Sequence, residues 1–304
     1  MTSRCWPDKR PRPAHPDGRD PRNNANSPVP NRPILVFSHA NGFPAGSYRK
    51  MFGHLAQDFD IRAIECIGHD ARYPVTDGWP HLVAQLTDFI AAQASVPVFA
   101  VGHSLGGYLS FLAAIGKPEL FSAIVLLDSP ILGFWTGTAF GMVKRFGMAD
   151  RVTPAGITRE RRREWMSREA ATQYFLTRKA FRHLDPDCVR DYALAGTEPT
   201  HGGVKLAFDP DTEYRIYRGI PHDLAAVAPR LRVPAGFVGG TQSEEVRRVG
   251  LGLTRRHCRV EMVQGGHLFP LERPQLAAQA IVRLHADLRG GTSCGQAKRP
   301  GMPP

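Results

Sequence analysis

The sequence predicts an α/β fold: a mostly parallel sheet flanked by helices, with a helical cap inserted between its two halves. Three observations predict it. Short apolar runs alternate with longer amphipathic ones through residues 33–131, the order produced by right-handed βαβ crossovers. That rhythm stops at about residue 132 and resumes at about residue 223. The stretch between is basic and helix-prone ("ITRERRREWMSREAATQYFLTRKAFRHL"), with no buried-strand signal.

Each element follows from its local pattern. "PILVFSHA" (33–40) is a short apolar run and reads as a buried strand. Residues 47–57 read as a helix and "FDIRAIEC" (59–66) as a strand. In residues 80–94, Leu82, Val83, Leu86, Phe89 and Ile90 share one helical face. "VPVFAVGHS" (96–104) is a strand, 105–116 a helix, and "SAIVLLDSP" (122–130) another strand. After the break come "VPAGFVGG" (233–240), a helix at about 243–251, "CRVEMVQGG" (258–266) and a helix from about 274 to 288. The core is therefore expected at 33–131 and 223–288, with a helical cap at 132–222. Residues 1–32 and 289–304 are rich in polar residues, Pro and Gly without apolar periodicity, and are expected to be disordered tails.

Composition narrows the function classes. The chain has 304 residues, 42% hydrophobic and 22% charged, with a formal charge of +11. Such a charge invites a nucleic-acid reading. Its distribution weakens that reading, because the excess sits in the two tails and in 132–222 rather than on one compact segment. No specific nucleic-acid partner is expected. No apolar run approaches the roughly 18 residues that span a bilayer, and the N-terminus lacks the apolar segment of a secretory signal. No membrane span is expected, and the cytoplasm is the expected compartment. The five cysteines are scattered, with no CxxC pair, which fits reduced thiols, with Cys66 and Cys258 expected to be buried. No metal-ligand, GxGxxG or Walker pattern occurs, so no cofactor is expected.

The chemistry-bearing motif is "VGHSLGG" (101–107). Gly102-His103-Ser104-Leu105-Gly106 fits G-x-S-x-G between an apolar strand and a helical run, the setting of a nucleophile elbow. A sharp strand-to-helix turn lifts the serine hydroxyl above the sheet edge, and flanking glycines let strand and helix pass closely. The next amide, that of Leu105, opens a helix N-terminus and can bind an anion. A serine hydroxyl needs a base. Of twelve histidines, His267 in "VQGGHLFPLERPQ" lies in a loop after the last strand, where an imidazole can reach the elbow. A second oxyanion amide should come from "SHANGFPAG" (38–46), with Asn41 the first choice and Phe43 the second.

These elements, in this order, resemble the α/β-hydrolase superfamily, over roughly residues 33–131 and 223–288. The resemblance implies Ser104 as nucleophile, His267 as base and the 131–222 insert as the variable cap. "SHANGFP" is similar to the superfamily's His-Gly-x oxyanion loop, with Ala40 in place of the usual glycine and Asn41 at the donating position. The acid departs from the pattern. Where Gly-x-x-Asp is usual, "GGTQSEEV" puts Ser243 three residues after Gly240, and a serine carries no charge to stabilise an imidazolium. Asp128, ending the strand next to the elbow, is the favoured substitute, because ligands bind at that edge of open α/β sheets. Glu244 and Glu245 are the alternatives.

Two further stretches invite readings. "RERRREW" (159–165) reads as a solvated cap helix with interleaved acids. Phe134, Trp135, Phe140 and Met142 are candidates either for an acyl pocket or for burial beneath the cap. The function expected is a serine hydrolase of carboxylic esters or thioesters acting on a small-molecule acyl substrate through an acyl-enzyme. C–C bond hydrolysis, cofactor-free haloperoxidase chemistry and acyl transfer are alternatives on the same constellation. A non-catalytic binding module is the alternative from another class. Oligomeric state is not legible in the sequence.

Overall fold

Six short strands lie side by side in one parallel sheet. They are β1 (Ile34–Ser38), β2 (Asp60–Ala63), β3 (Val98–His103), β4 (Phe121–Leu127), β8 (Ala235–Gly240) and β9 (Arg259–Val263), in the order β2-β1-β3-β4-β8-β9. The structure is a computed structural model and describes residues 32–146, 150, 153 and 155–290. The expected disordered tails lie outside the described residues except at their inner ends. All five strand pairings are parallel, as the alternating pattern predicts. Every residue of β3 and β8 is buried, which explains why these runs read as continuously apolar.

Side-chain alternation splits the core into two layers. Leu35, Phe37, Val101, Val125 and Leu127 face α1 (Arg49–Leu55) and the C-terminal helix Pro274–Gly290. Val36, Ala100, Ile124 and Leu126 face α2 (Pro80–Gln93) and α3 (Leu105–Gly116). Helices on both faces follow from crossovers of one hand. The strands are shorter than their expected runs. β2 ends at Ala63, and Glu65 beyond it accepts from the amides of Ala45 and Gly46. Those bonds tie this loop to the one after β1.

The segment between β4 and β8 carries α4 (Phe134–Arg145) and the helices Arg168–Leu176, Pro186–Ala195 and Pro210–Arg218. It also holds an antiparallel sheet of β5 (Glu164–Trp165), β6 (Thr197–Thr200) and β7 (Gly203–Leu206), in the order β5-β7-β6. The purely helical expectation for 132–222 missed this sheet. Its strands run two to four residues, too short for a period-2 signal. Pro199 lies in the edge strand β6, where a missing N–H is tolerated. The expected helix over 159–165 is likewise absent. Those residues form a turn leading into β5, with Arg161 drawn onto Glu213 and Tyr192.

The elbow packs backbone against backbone. A Cβ on Gly102 would overlap the Gly106 carbonyl, and one on Gly106 would overlap the Ser38 carbonyl oxygen. The second clash has no flexible side chain to absorb it. Gly106→Ala is expected to cost about 3 kcal/mol or more, seen as a fall in Tm of roughly 6 °C or more in thermal melts followed by circular dichroism.

Candidate active site

Ser104 occupies the turn between β3 and α3 at φ 52° and ψ −111°. This is a positive-φ conformation that non-glycine residues rarely adopt. The turn is held from several sides. The Ser104 N–H donates to the Leu127 carbonyl at 2.9 Å, and Gly106 N–H donates to the His39 carbonyl at 3.2 Å. The Ser129 hydroxyl donates to the Ser104 carbonyl at 2.9 Å. Surroundings that over-determine a strained residue are what keep it strained.

His267 lies in the loop after β9, and its ring spans two partners. Nε2 is 3.1 Å from Ser104 Oγ, and Nδ1 is 2.7 Å from Asp128 Oδ2. Asp128 stands one residue past β4, also at positive φ (50°) and fully enclosed. Its other oxygen accepts from the Gly240 amide at 2.8 Å. A buried carboxylate needs donors, and here the neighbouring strand end provides them.

Ser243 has a role that sequence reasoning did not assign. Its hydroxyl donates to Asp128 Oδ2 at 2.5 Å, so the residue three after Gly240 steadies the Asp128 carboxylate. Its oxygen also caps the helix Glu244–Val249, accepting from the Val246 amide. Glu245 comes within 3.6 Å of His267 Nδ1. Glu244 points away and pairs with Arg247 and Arg248 at the surface. Of the three acids considered, Asp128 therefore contacts the imidazole directly, Glu245 lies beside it and Glu244 lies apart.

Burial by itself pushes the His267 pKa down. The Asp128 hydrogen bond and the charges of Glu245, Asp128 and Glu272 outweigh it, and the net shift is upward from 6.5. Asp128, Glu245 and His267 also form a donor cluster whose atoms lie within 4.8 Å of one another. Asp128 Oδ2 is already engaged by His267 and Ser243, so these groups satisfy one another.

A buried hydrogen-bond chain ties the site together. Ala40 N–H donates to the Tyr48 hydroxyl at 3.3 Å. Tyr48 O–H donates to His103 Nδ1 at 2.7 Å, and His103 Nε2–H donates to the His267 carbonyl at 2.9 Å. Burial drives the His103 pKa well below 6.5, which leaves the neutral ring that this direction requires. His39 is fixed the same way, donating from Nδ1 to the Ala40 carbonyl and accepting at Nε2 from the Ile67 amide. Burial holds its pKa down at about 4. Tyr48 gives no sequence signal, because its partners lie across the fold. His103 was legible only as the free position of G-x-S-x-G.

The loop after β1 reaches the elbow through the Gly106–His39 bond. Asn41 is buried there, and its side-chain amide donates to the Glu213 carbonyl at 3.0 Å. Leu105 is the first residue of α3, so its N–H has no helical carbonyl to bond. The Phe43 amide is engaged with the Ala40 carbonyl at 3.0 Å, which disfavours Phe43 as an oxyanion donor. Both readings of the aromatic stretch, acyl pocket and burial beneath the cap, need correction. Phe134, Trp135 and Met142 face outward and are exposed. The Phe140 side chain lies outside the described residues.

Comparisons with known proteins agree with this fold. The family model described as "Alpha/beta hydrolase family" matches residues 35–280. A hydrolase of Bacillus subtilis strain 168, YugF, is 28% identical over 272 residues, covering 83% of this chain and 89% of its own. Mouse monoglyceride lipase is 32% identical over 108 residues, about a third of either chain (33% and 35%). In structure, the chain is similar to E-2-(acetamidomethylene)succinate hydrolase, with a TM-score of 0.69 at 21% identity, covering 84% of this chain and 91% of that one.

Proposed function

Because the chain is a hydrolase belonging to the alpha/beta hydrolase family, we propose that it cleaves carboxylic ester or thioester bonds through an acyl-enzyme on Ser104. The observation that carries this reading is the continuous chain Ser104 Oγ–His267 Nε2 and His267 Nδ1–Asp128 Oδ2, at 3.1 Å and 2.7 Å. Each distance lies within reach of direct proton transfer or orientation.

In this mechanism His267 Nε2 takes the hydroxyl proton as Ser104 Oγ attacks the acyl carbon. The C=O electrons move onto oxygen, and the Leu105 and Asn41 amides receive that oxyanion. Asp128 holds the Nδ1–H tautomer and stabilises the imidazolium. The tetrahedral intermediate collapses, and His267 gives its proton to the departing alkoxide or thiolate. Water, deprotonated by the same imidazole, then releases the acid and restores Ser104. A serine at the elbow separates this chemistry from hydrolases of the fold that use aspartate there. The match to monoglyceride lipase supports an acyl substrate. A fluorophosphonate probe should label Ser104 in the intact protein, and absence of labelling would remove the reading.

The raised His267 pKa has a kinetic consequence. The base works only when neutral, so kcat/KM for a short p-nitrophenyl ester should rise with pH along a single acid limb. An upward shift moves that limb to a midpoint above 6.5. Glu245 is one of the charges raising it, so Glu245→Gln should move the limb to lower pH while changing the plateau rate by less than about threefold. A limb that stays in place would show that Glu245 does not bias the imidazole.

A further inference from the structure

Helix α4 turns an apolar face to the outside. Phe134, Trp135 and Met142, with Phe146 just past the helix end, are 66%, 82%, 49% and 65% exposed. Wound at 3.6 residues per turn they share one arc of roughly 120°. An ordinary surface helix buries its apolar stripe. Here the inward contact is made by Gly137, where a Cβ would overlap the His222 carbonyl oxygen.

Beside that arc the surface is cationic. Arg145 lies at its edge, and Lys144 continues into a cleft of about 620 Å³ whose lining includes Arg215, Arg218 and His222. Among the described residues Asp77 is the single carboxylate in the lining, and it pairs with Lys144. Arg218 leans on Asp150 at 3.8 Å. Arg145 and Arg215 have no carboxylate partner among the described residues. Ser104, His267 and Asp128 are not part of this cleft.

We propose that α4 and the adjoining cleft dock the protein on an anionic lipid bilayer. Phe134, Trp135, Met142 and Phe146 enter the headgroup boundary, while Arg145, Arg215 and Arg218 meet lipid phosphates. Exposed aromatic side chains beside Arg and Lys are the mark of an interfacial helix, and each cation near an anionic leaflet adds attraction. Charge complementarity selects this occupant over a second copy of the chain. A two-fold pairing through the patch would set the same cations against each other. The binding does not depend on the serine mechanism. It places the sheet edge carrying Asp128, from which α4 departs, near the phase where apolar acyl compounds dissolve.

The test is co-sedimentation of the full-length protein with vesicles of phosphatidylcholine alone or mixed with phosphatidylglycerol. Binding is expected only to the mixed vesicles and should weaken as salt rises. In a Trp6→Phe background the emission should shift to the blue on binding, because Trp79 and Trp165 are already buried and Trp135 is the group that changes environment. Phe134→Ser with Trp135→Ser should weaken partitioning about tenfold or more. Arg145→Gln and Arg215→Gln should each weaken it about fivefold. All four side chains are exposed, so unchanged thermal melts should accompany these losses. Equal binding to both vesicle types, or none to either, would overturn the proposal. So would vesicle binding indifferent to Phe134→Ser/Trp135→Ser, which would assign it to the basic termini. A dimer in sedimentation velocity that the same pair of substitutions dissolves would assign the patch to self-association instead.

Discussion

Ser104→Ala is expected to lower kcat for a short p-nitrophenyl ester by about 10^6-fold, the scale on which a serine hydrolase loses its nucleophile. The fold should survive. Ser104 sits at φ 52°, and an alanine there meets the same backbone restriction as the serine it replaces, so the elbow loses one hydroxyl and no packing. The bond removed is the 3.1 Å contact to His267, and His267 keeps Asp128. What remains is the acceleration from bound substrate and oxyanion amides, typically 10^3–10^4-fold over water. The measurement is kcat on protein whose melting curve matches wild type, with fluorophosphonate labelling in parallel. An alanine variant with wild-type turnover would remove Ser104 from the chemistry altogether.

Asp128→Asn should lower kcat by about 10^4-fold, for a reason visible in its hydrogen bonds. The carboxylate accepts from the Gly240 amide on Oδ1 and from Ser243 and His267 on Oδ2. An asparagine can keep the Gly240 bond only with its oxygen at that site, which turns its NH2 toward Ser243 and His267. Nδ1 must then accept instead of donating. The ring proton moves to Nε2, facing Ser104 Oγ, and the imidazole can no longer take the serine proton. Glu245 stands 3.6 Å from Nδ1 and is partly exposed, so it is a weak substitute. Glu245→Gln alone should leave kcat within about threefold, and Glu244→Gln should leave it unchanged, because Glu244 pairs with Arg247 and Arg248 instead. The reverse order of losses, with a glutamate variant the worst, would move the acid to the helix after β8.

The two acid positions are less separate than their distance in the chain suggests. Ser243 Oγ lies 2.5 Å from Asp128 Oδ2. A side chain from the end of β4 and one from the loop after β8 therefore converge on one point beside the imidazole. β4 and β8 are paired neighbours, Leu127 against Val238, and their C-terminal ends open on the same edge. The parallel sheet makes the convergence possible.

Much of this was legible in the sequence because it is local. A strand of β3's length shows itself as an apolar run, α2 shows its helical spacing, and Gly102 and Gly106 mark the elbow because no side chain fits there. Ser104 was read from the G-x-S-x-G motif between strand and helix, and His267 from its place in the loop after the last strand. What stayed hidden depends on partners far away in the chain. The sheet of β5, β6 and β7 exists by pairing strands too short to carry a pattern. Phe134 and Trp135 read as lining an acyl pocket or as buried beneath the cap, because composition reports hydrophobicity and not direction, yet both face outward. Asp128 could be favoured over Glu245 by reasoning about the sheet edge. The tertiary structure separates them by 2.7 Å against 3.6 Å from one ring nitrogen. Local sterics and periodicity determined the strand-to-helix turn at Ser104, the strands and the loop that carries His267. Long-range packing decided which carboxylate meets the His267 ring, the Ser243 and Gly240 donors to Asp128 and the Tyr48–His103 chain, because a hydrogen bond is set by where atoms meet in space and not by their order along the backbone.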